Sequence, residues 1–222
     1  MKKVAWLSFL LVSVGEIISL IAGIEMLQTI FKPLIIITLI FSYLTTVSNE
    51  DRSRTLLFAL FFSGAGDVLL MFHDTDGSFF MMGLLAFLIS HVFYIFTYRQ
   101  HQHSESENGL QGIQRIRLAF PIILSGTGLV FVLYPVLGDL KVPVMIYALV
   151  LVVMTLNALL RLGKTTPSSF WMVFCGAMLF MVSDSLLAIN KFLEPLPFGN
   201  VWIMTTYISA QYLIVKGLIA HK

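Results

Sequence analysis

The sequence predicts an all-α fold, a polytopic membrane bundle of eight transmembrane helices with both termini in the cytoplasm. Three observations predict it. The 222 residues are 58% apolar and 12% charged, with a mean hydropathy of +0.90. A soluble domain carries about 45–50% apolar and about 25% charged residues, so a soluble fold is excluded, and disorder with it. The apolar residues gather into eight runs close to the roughly 20 residues that cross a bilayer. Lys and Arg then fall on alternate sides of those runs, with Lys32, Lys141 and Lys191 facing one way and the other eleven of the fourteen facing the other. The positive-inside rule places that richer side in the cytoplasm.

Helix one, about 4–24, follows Lys2-Lys3. Its length, the interrupting Glu16 and the lack of a clean small-x-small cleavage site argue for a retained helix rather than a signal peptide. Gly15, Ser19 and Gly23 recur every four residues, a small face for close helix packing. Helix two, about 31–48, carries Lys32 and Pro33 at its outer mouth and ends in the polar link Asn49 to Arg54. Helix three, about 55–73, contains Ser63-Gly64-Ala65-Gly66-Asp67, whose small residues let another backbone approach. His73, Asp74 and Asp76 then read as a turn rather than a cation site.

Helix four, about 79–98, holds Ser90, His91 and Tyr94. The longest link runs from Arg99 to Ile116, with His101, His103, Glu105 and Glu107 expected in solvent. Helices five and six, about 117–136 and 141–161, follow, with Asn157 near the cytoplasmic end of helix six. Pro167 breaks the chain before helix seven, about 170–190. Pro195 and Pro197 do the same before helix eight, about 198–218, where Tyr207 and Gln211 share a face. The apolar runs do not alternate, which excludes a β-barrel. No link is long enough to fold separately, so 1–222 reads as a single integral membrane domain.

An ionisable group at membrane depth costs at least about 2.5–3.5 kcal/mol on insertion scales, so each is a functional hypothesis by default. Asp67 is expected about 9 Å inside the outer end of helix three, from six residues at 1.5 Å each. Asp184 is expected at a similar depth in helix seven, preceded by Ser183. Both sit in the pattern small-Asp-x-Leu-Leu, 117 residues apart, which suggests a four-plus-four repeat of parallel orientation. Two such carboxyls can face one cavity; the alternative is that each satisfies a neighbouring backbone. His91 and Tyr94 share a face at i and i+3, although a lone intramembrane His ordinarily serves a helix–helix hydrogen bond. Lys32 and Glu16 can pair or snorkel.

The single cysteine, Cys175, builds neither an internal disulfide nor a thiolate site. A zinc site of three histidines is disfavoured, because only His91 lies clearly inside a span. The sequence has no Gly-x-Ser-x-Gly elbow, His-Glu-x-x-His or phosphate loop. No metal, cofactor or nucleic-acid partner is therefore expected.

Four blocks carry a resemblance. They are Lys32-Pro33-Leu34, Ser63 through Leu70, Gly83 through Ile95, and Gly176 through Ala188 followed by Lys191-Phe192, with Tyr207 and Gln211 beyond. Together they resemble the YhhN-like lysoplasmalogenase family of integral membrane proteins. The resemblance implies an eight-helix hydrolase, in a bacterial inner membrane, acting on lysoplasmalogens, which are lysophospholipids with one vinyl ether chain. The products would be a fatty aldehyde and a glycerophospho-choline or -ethanolamine. Vinyl ether hydrolysis passes through an oxocarbenium ion, as glycoside hydrolysis does, and two carboxyl groups suit it. Asp67 and Asp184 are the expected catalytic pair, with the acid and the base not distinguished. His91, Tyr94, Tyr207, Gln211 and Ser183 would support them, and Lys32 and Asn157 would bind substrate. The competing reading is a proton-coupled transporter of a small molecule or lipid, since intramembrane Asp and His also build relays. A third is a lipid-binding scaffold. Product formation separates the first from both others.

Overall fold

The computed structural model describes residues 2–72, 77–103, 109–110 and 112–221. The turn at His73, Asp74 and Asp76 lies outside these residues, as do Glu105 and Glu107 of the long link. The described residues form eight α-helices and one 3₁₀ turn, with no strand: α1 (Lys2–Ala22), α2 (Glu25–Thr46), α3 (Arg54–Leu70), α4 (Gly77–Gln100), α5 (Gly112–Leu133), the turn Gly138–Leu140, α6 (Lys141–Leu159), α7 (Pro167–Phe192) and α8 (Gly199–Ile219). Six of them are long and apolar enough to cross a bilayer, as expected of a multi-pass membrane protein. The two others fall short for different reasons. α3 has 17 residues, while α8 has 21 but interleaves Thr205, Thr206, Tyr207, Ser209, Gln211, Tyr212 and Lys216 with its apolar positions.

The chain folds as two compact units, Met1–Thr97 and Tyr98–Lys222. In the first unit α1 packs on α2, and α2 on α3. A methyl on Gly15 would lie 2.9 Å from the Phe31 ring, so only glycine lets α2 approach there. Ser42 Oγ donates to the Ala5 carbonyl at 2.8 Å, and Trp6 Nε1 to Thr46 Oγ1 at 3.1 Å, tying the far ends of the same pair. Gly23 departs from the expected packing stripe. It takes φ +69° with open space around it, and so makes the left-handed turn between α1 and α2. That tight turn starts α2 at Glu25, six residues earlier than expected. Lys32 therefore sits about two turns inside α2 rather than at its mouth. Ser53 caps α3, its hydroxyl accepting from Leu56 N–H at 3.3 Å.

In the second unit α7 packs extensively on α8, α6 on both α5 and α7, and α5 touches α7. The α7–α8 contact is nearly backbone to backbone. A methyl on Gly176 would meet the Ala210 carbonyl oxygen at 2.9 Å, and one on Gly217 would meet Val173. Small residues permit this approach between membrane helices. Thr166 caps α7 by accepting from Ser169 N–H at 3.3 Å, with Pro167 in the first turn.

Arg161, one of the eleven cations expected on the richer side, is fully buried just beyond α6. Its Nε and Nη2 donate to the His101 carbonyl at 3.1 and 3.0 Å, and Nη2 also donates to Ser169 Oγ at 2.8 Å. Ser169 passes its own proton to the Gly217 carbonyl at 2.7 Å. Burial pulls the guanidinium down to about 10, with Tyr98 acting the other way, so it stays cationic at neutral pH.

His101 and His103 are likewise not simply solvated. Their rings lie 5.6 and 5.1 Å from that of His221. His221 Nδ1 shares a 2.7 Å hydrogen bond with Thr165. Burial, and then Arg161, His101 and His103, hold His221 down at about 4.

Candidate functional site

The sequence-predicted residues fall into two groups, one in each unit. In the first unit Asp67 is 3% exposed on α3. α3 ends at Leu70, so Asp67 lies in its last turn, nearer the helix end than expected. Two features press α4 against this turn. A methyl on Gly66 would lie 2.6 Å from the Phe87 ring, and one on Gly83 would lie 2.8 Å from Leu70 and 3.5 Å from the Gly66 carbonyl oxygen. One turn before Asp67, the Ser63 and Ser90 hydroxyls are 2.7 Å apart, and Ser90 donates to the Ala59 carbonyl at 2.8 Å. With the Ser90 proton committed to Ala59, Ser63 is the donor in the first bond. His91 and Tyr94, on the segment of α4 that this relay pins, are fully buried. The stacked rings of Phe58, Phe62 and Phe93 extend the α3–α4 contact, with centroids 5.2 and 5.8 Å apart.

On the other side of this unit, Glu16 is 1% exposed and accepts from the Ser19 hydroxyl at 3.5 Å. Lys32 lies within its electrostatic reach and is partly exposed. The pairing alternative for these two thus has a geometric basis, created by the turn at Gly23.

In the second unit Asp184 is partly exposed on α7. α7 runs eight residues beyond it, to Phe192. Counted from the helix ends, Asp67 and Asp184 therefore do not occupy equivalent registers. Asp184 Oδ2 accepts a hydrogen bond of 2.6 Å from the Tyr147 hydroxyl of α6, and Tyr147 is buried. Sequence reasoning missed Tyr147. A tyrosine in an apolar helix reads as core or as an interface anchor, and only the α6–α7 packing assigns its hydroxyl. Beside Asp184, Ser183 Oγ donates to the Ile203 carbonyl of α8 at 2.9 Å. Tyr207 is buried with its ring edge-on to Phe180 at 5.4 Å, and Gln211 is fully buried one turn further along α8.

Asn157 belongs elsewhere. It is ten residues along α6 from Tyr147, about 15 Å. Its Oδ1 accepts from Arg99 Nε at 2.8 Å, and its Nδ2 donates to the Val153 carbonyl at 2.7 Å. No group of three or more His, Cys, Asp or Glu among the described residues has metal-binding geometry.

Comparison with known proteins places this arrangement in a family. The human lysoplasmalogenase TMEM86B is 33% identical over 156 residues, 70% of this chain and 59% of that protein. The chain thus spans about three fifths of that relative's length. The human lysoplasmalogenase TMEM86A is 31% identical over 77% of this chain and 68% of its own length. The lysoplasmalogenase of Mycobacterium tuberculosis is 30% identical over 89% of this chain and 72% of its own. No solved structure matches. The YhhN family matches residues 27–218, which take in Lys32, Asp67, His91, Tyr94, Asp184, Tyr207 and Gln211. The chain belongs to the YhhN family.

Proposed function

We propose that this protein is a lysoplasmalogenase. It hydrolyses the vinyl ether bond of a lysoplasmalogen to a fatty aldehyde and a glycerophospho-choline or -ethanolamine. The observation that carries the reading is the family match across residues 27–218, with mammalian and mycobacterial relatives that bear that name. The membrane setting agrees with it, because the substrate is itself a membrane lipid.

Asp67 and Asp184 are the carboxyl pair of this proposal. One protonates the vinyl carbon that does not bear oxygen, and the electron pair of the double bond forms the new C–H bond. The oxocarbenium ion that results is stabilised by the other, ionised carboxylate, as in glycoside hydrolysis. Water adds to the oxygen-bearing carbon and gives that carboxylate a proton. The hemiacetal then breaks its bond to the glycerol oxygen, which takes the proton held by the second carboxyl, while the hemiacetal hydroxyl gives its proton to the first and becomes the aldehyde carbonyl. One water is consumed, and each carboxyl returns to its starting state once the proton is passed back. His91, Tyr94, Tyr207, Gln211 and Ser183 build the surroundings, and the Lys32 ammonium holds the lipid phosphate as a point charge. Asn157 is the second substrate-binding residue of the proposal, its amide oriented by Arg99 and the Val153 carbonyl.

The finer topology belongs to the same proposal. It comprises eight crossings of a bacterial inner membrane, two parallel four-helix halves within one membrane domain, and cytoplasmic termini. The alternation of Lys and Arg and the division near Thr97 support it.

The test is aldehyde release from a lysoplasmalogen by purified wild type, Asp67→Asn and Asp184→Asn. Each variant is expected to lose at least about 100-fold in kcat, the lower range for a positioned acid or base. Full activity in both removes the carboxylate mechanism. A wild type that moves lipid across liposomes without making aldehyde removes the enzyme.

A further inference from the structure

We propose that Tyr147 is a positioning residue that holds Asp184 as the ionised member of the acidic pair, leaving Asp67 as the proton donor. The inference rests on the hydrolase reading above. It starts from the 2.6 Å bond in which the Tyr147 hydroxyl donates to Asp184 Oδ2. At that separation the hydroxyl and the carboxyl oxygen are in direct hydrogen-bond contact. A phenol has one proton to give, and directing it at a carboxylate favours the charged acceptor over a carboxylic acid, which must place its own proton elsewhere.

The surroundings divide the two aspartates in the same sense. Asp184 is partly exposed and has a hydrogen-bond donor in Tyr147, and a charge away from bulk water costs least where it is hydrogen-bonded. Asp67 is 3% exposed. Tyr147 touches neither lipid nor water in this scheme. Buried on α6, it fixes the carboxylate plane of a residue on α7.

Two measurements test this. Infrared difference spectra between wild type and Asp184→Asn at neutral pH are expected to lose a carboxylate band, and those for Asp67→Asn a carboxylic-acid carbonyl band. The reverse assignment overturns the proposal, and this measurement needs no turnover. In the second, Tyr147→Phe is expected to lower kcat for aldehyde release about 10- to 100-fold, the worth of a hydrogen bond to a charged group. KM should stay within about threefold, as for an interaction that acts on the chemical step. The acidic limb of its pH–rate profile should move toward neutrality. Tyr147→His, which returns a ring N–H donor, should recover part of the rate. Wild-type kcat with an unmoved limb overturns the role, as does a loss of thermal stability without a limb shift. If wild type releases no aldehyde, the hydrolase reading and the catalytic role fall, whereas the infrared result still decides whether Asp184 is charged.

Discussion

Gly66 immediately precedes Asp67, and replacing it with alanine tests whether the α3–α4 contact sets the position of that aspartate. The added methyl would lie 2.6 and 2.7 Å from two atoms of the Phe87 ring, where ordinary contact begins at 3.4 Å. The ring, or the whole of α4, must therefore retreat by about 0.8 Å. Phe87 is 6% exposed and has little room to turn. Overpacking of this kind costs about 1–3 kcal/mol, while exchanging glycine for alanine inside a helix returns about 1 kcal/mol. The net loss of stability is therefore small, about 0–2 kcal/mol on those two figures. Activity is expected to fall further. Phe87 and His91 share a face of α4, and a displacement near 1 Å at a reacting group can cost about 100-fold. The assay is kcat for aldehyde release together with Tm in detergent. We expect Gly66→Ala to lose about 10- to 100-fold in kcat with a minor change in Tm, and Phe87→Leu in the same chain to recover much of it. Gly64→Ala is the control, because its methyl meets Ile36 at 3.2 Å and needs only a few tenths of an ångström. Wild-type kcat in Gly66→Ala would refute the argument that this contact positions Asp67.

Two further predictions concern the clasp beyond α6. Arg161→Leu removes the charge-assisted bonds from a fully buried guanidinium to the His101 carbonyl and to Ser169. It should destabilise the protein by about 3 kcal/mol or more, seen as a lower Tm in detergent, and an unchanged Tm would dismiss the clasp as structural. His221 is held at about 4, below its ordinary 6.5, so between those values the unfolded chain binds the extra proton. Its stabilising contribution is complete above about pH 6.5 and is lost as pH falls toward 4. His221→Asn keeps an acceptor for Thr165 and should show a smaller fall in Tm between pH 7 and pH 5 than wild type. An equal fall would place the acid sensitivity in another group.

The membrane class and six of the helices were legible in the sequence because a bilayer imposes one demand, length of apolar run, that composition reports directly, while α3 and α8 were read from shorter or more polar runs. The helix ends were less so. Gly23 read as one member of a packing stripe, yet its positive φ makes the turn that starts α2 at Glu25 and carries Lys32 inward. A glycine serves either purpose, and periodicity does not distinguish them. Asp67, Asp184 and His91 stood out because polar groups at membrane depth are costly and therefore rare. Tyr147 and Arg161 did not, for opposite reasons. A tyrosine among apolar residues is ordinary until a partner for its hydroxyl is known. An arginine next to a glycine turn and a lysine looks like one more loop cation until the fold closes over it.

The two helices that fail the apolar criterion point the same way. A helix that meets lipid must be apolar on its outer surface, whereas one enclosed by protein is freed from that demand. α8 buries Tyr207 and Gln211 on the face that packs against α7, and these two polar side chains are tolerated because they are turned inward. α3 gives up length and apolarity in Ser63-Gly64-Ala65-Gly66-Asp67, where Ser63 donates to Ser90, α2 packs on Gly64 through Ile36 and α4 packs on Gly66 through Phe87. Hydropathy thus reports where lipid touches the protein, and its deficits report where protein touches protein. In an enzyme whose substrate comes from the bilayer, the chemistry must lie in the second kind of place, since a carboxyl facing acyl chains could neither hold a charge nor meet a water. Of the proposed site residues, Asp67 lies on α3 and Tyr207 and Gln211 on α8, while Asp184 and Tyr147 lie on α7 and α6, which meet the apolar demand and need each other's hydrogen bond instead. The constraint also makes a test available. Polar substitutions at the exposed positions Phe61 and Phe131 should impair membrane insertion, while a second polar residue beside Tyr207 should disturb activity first.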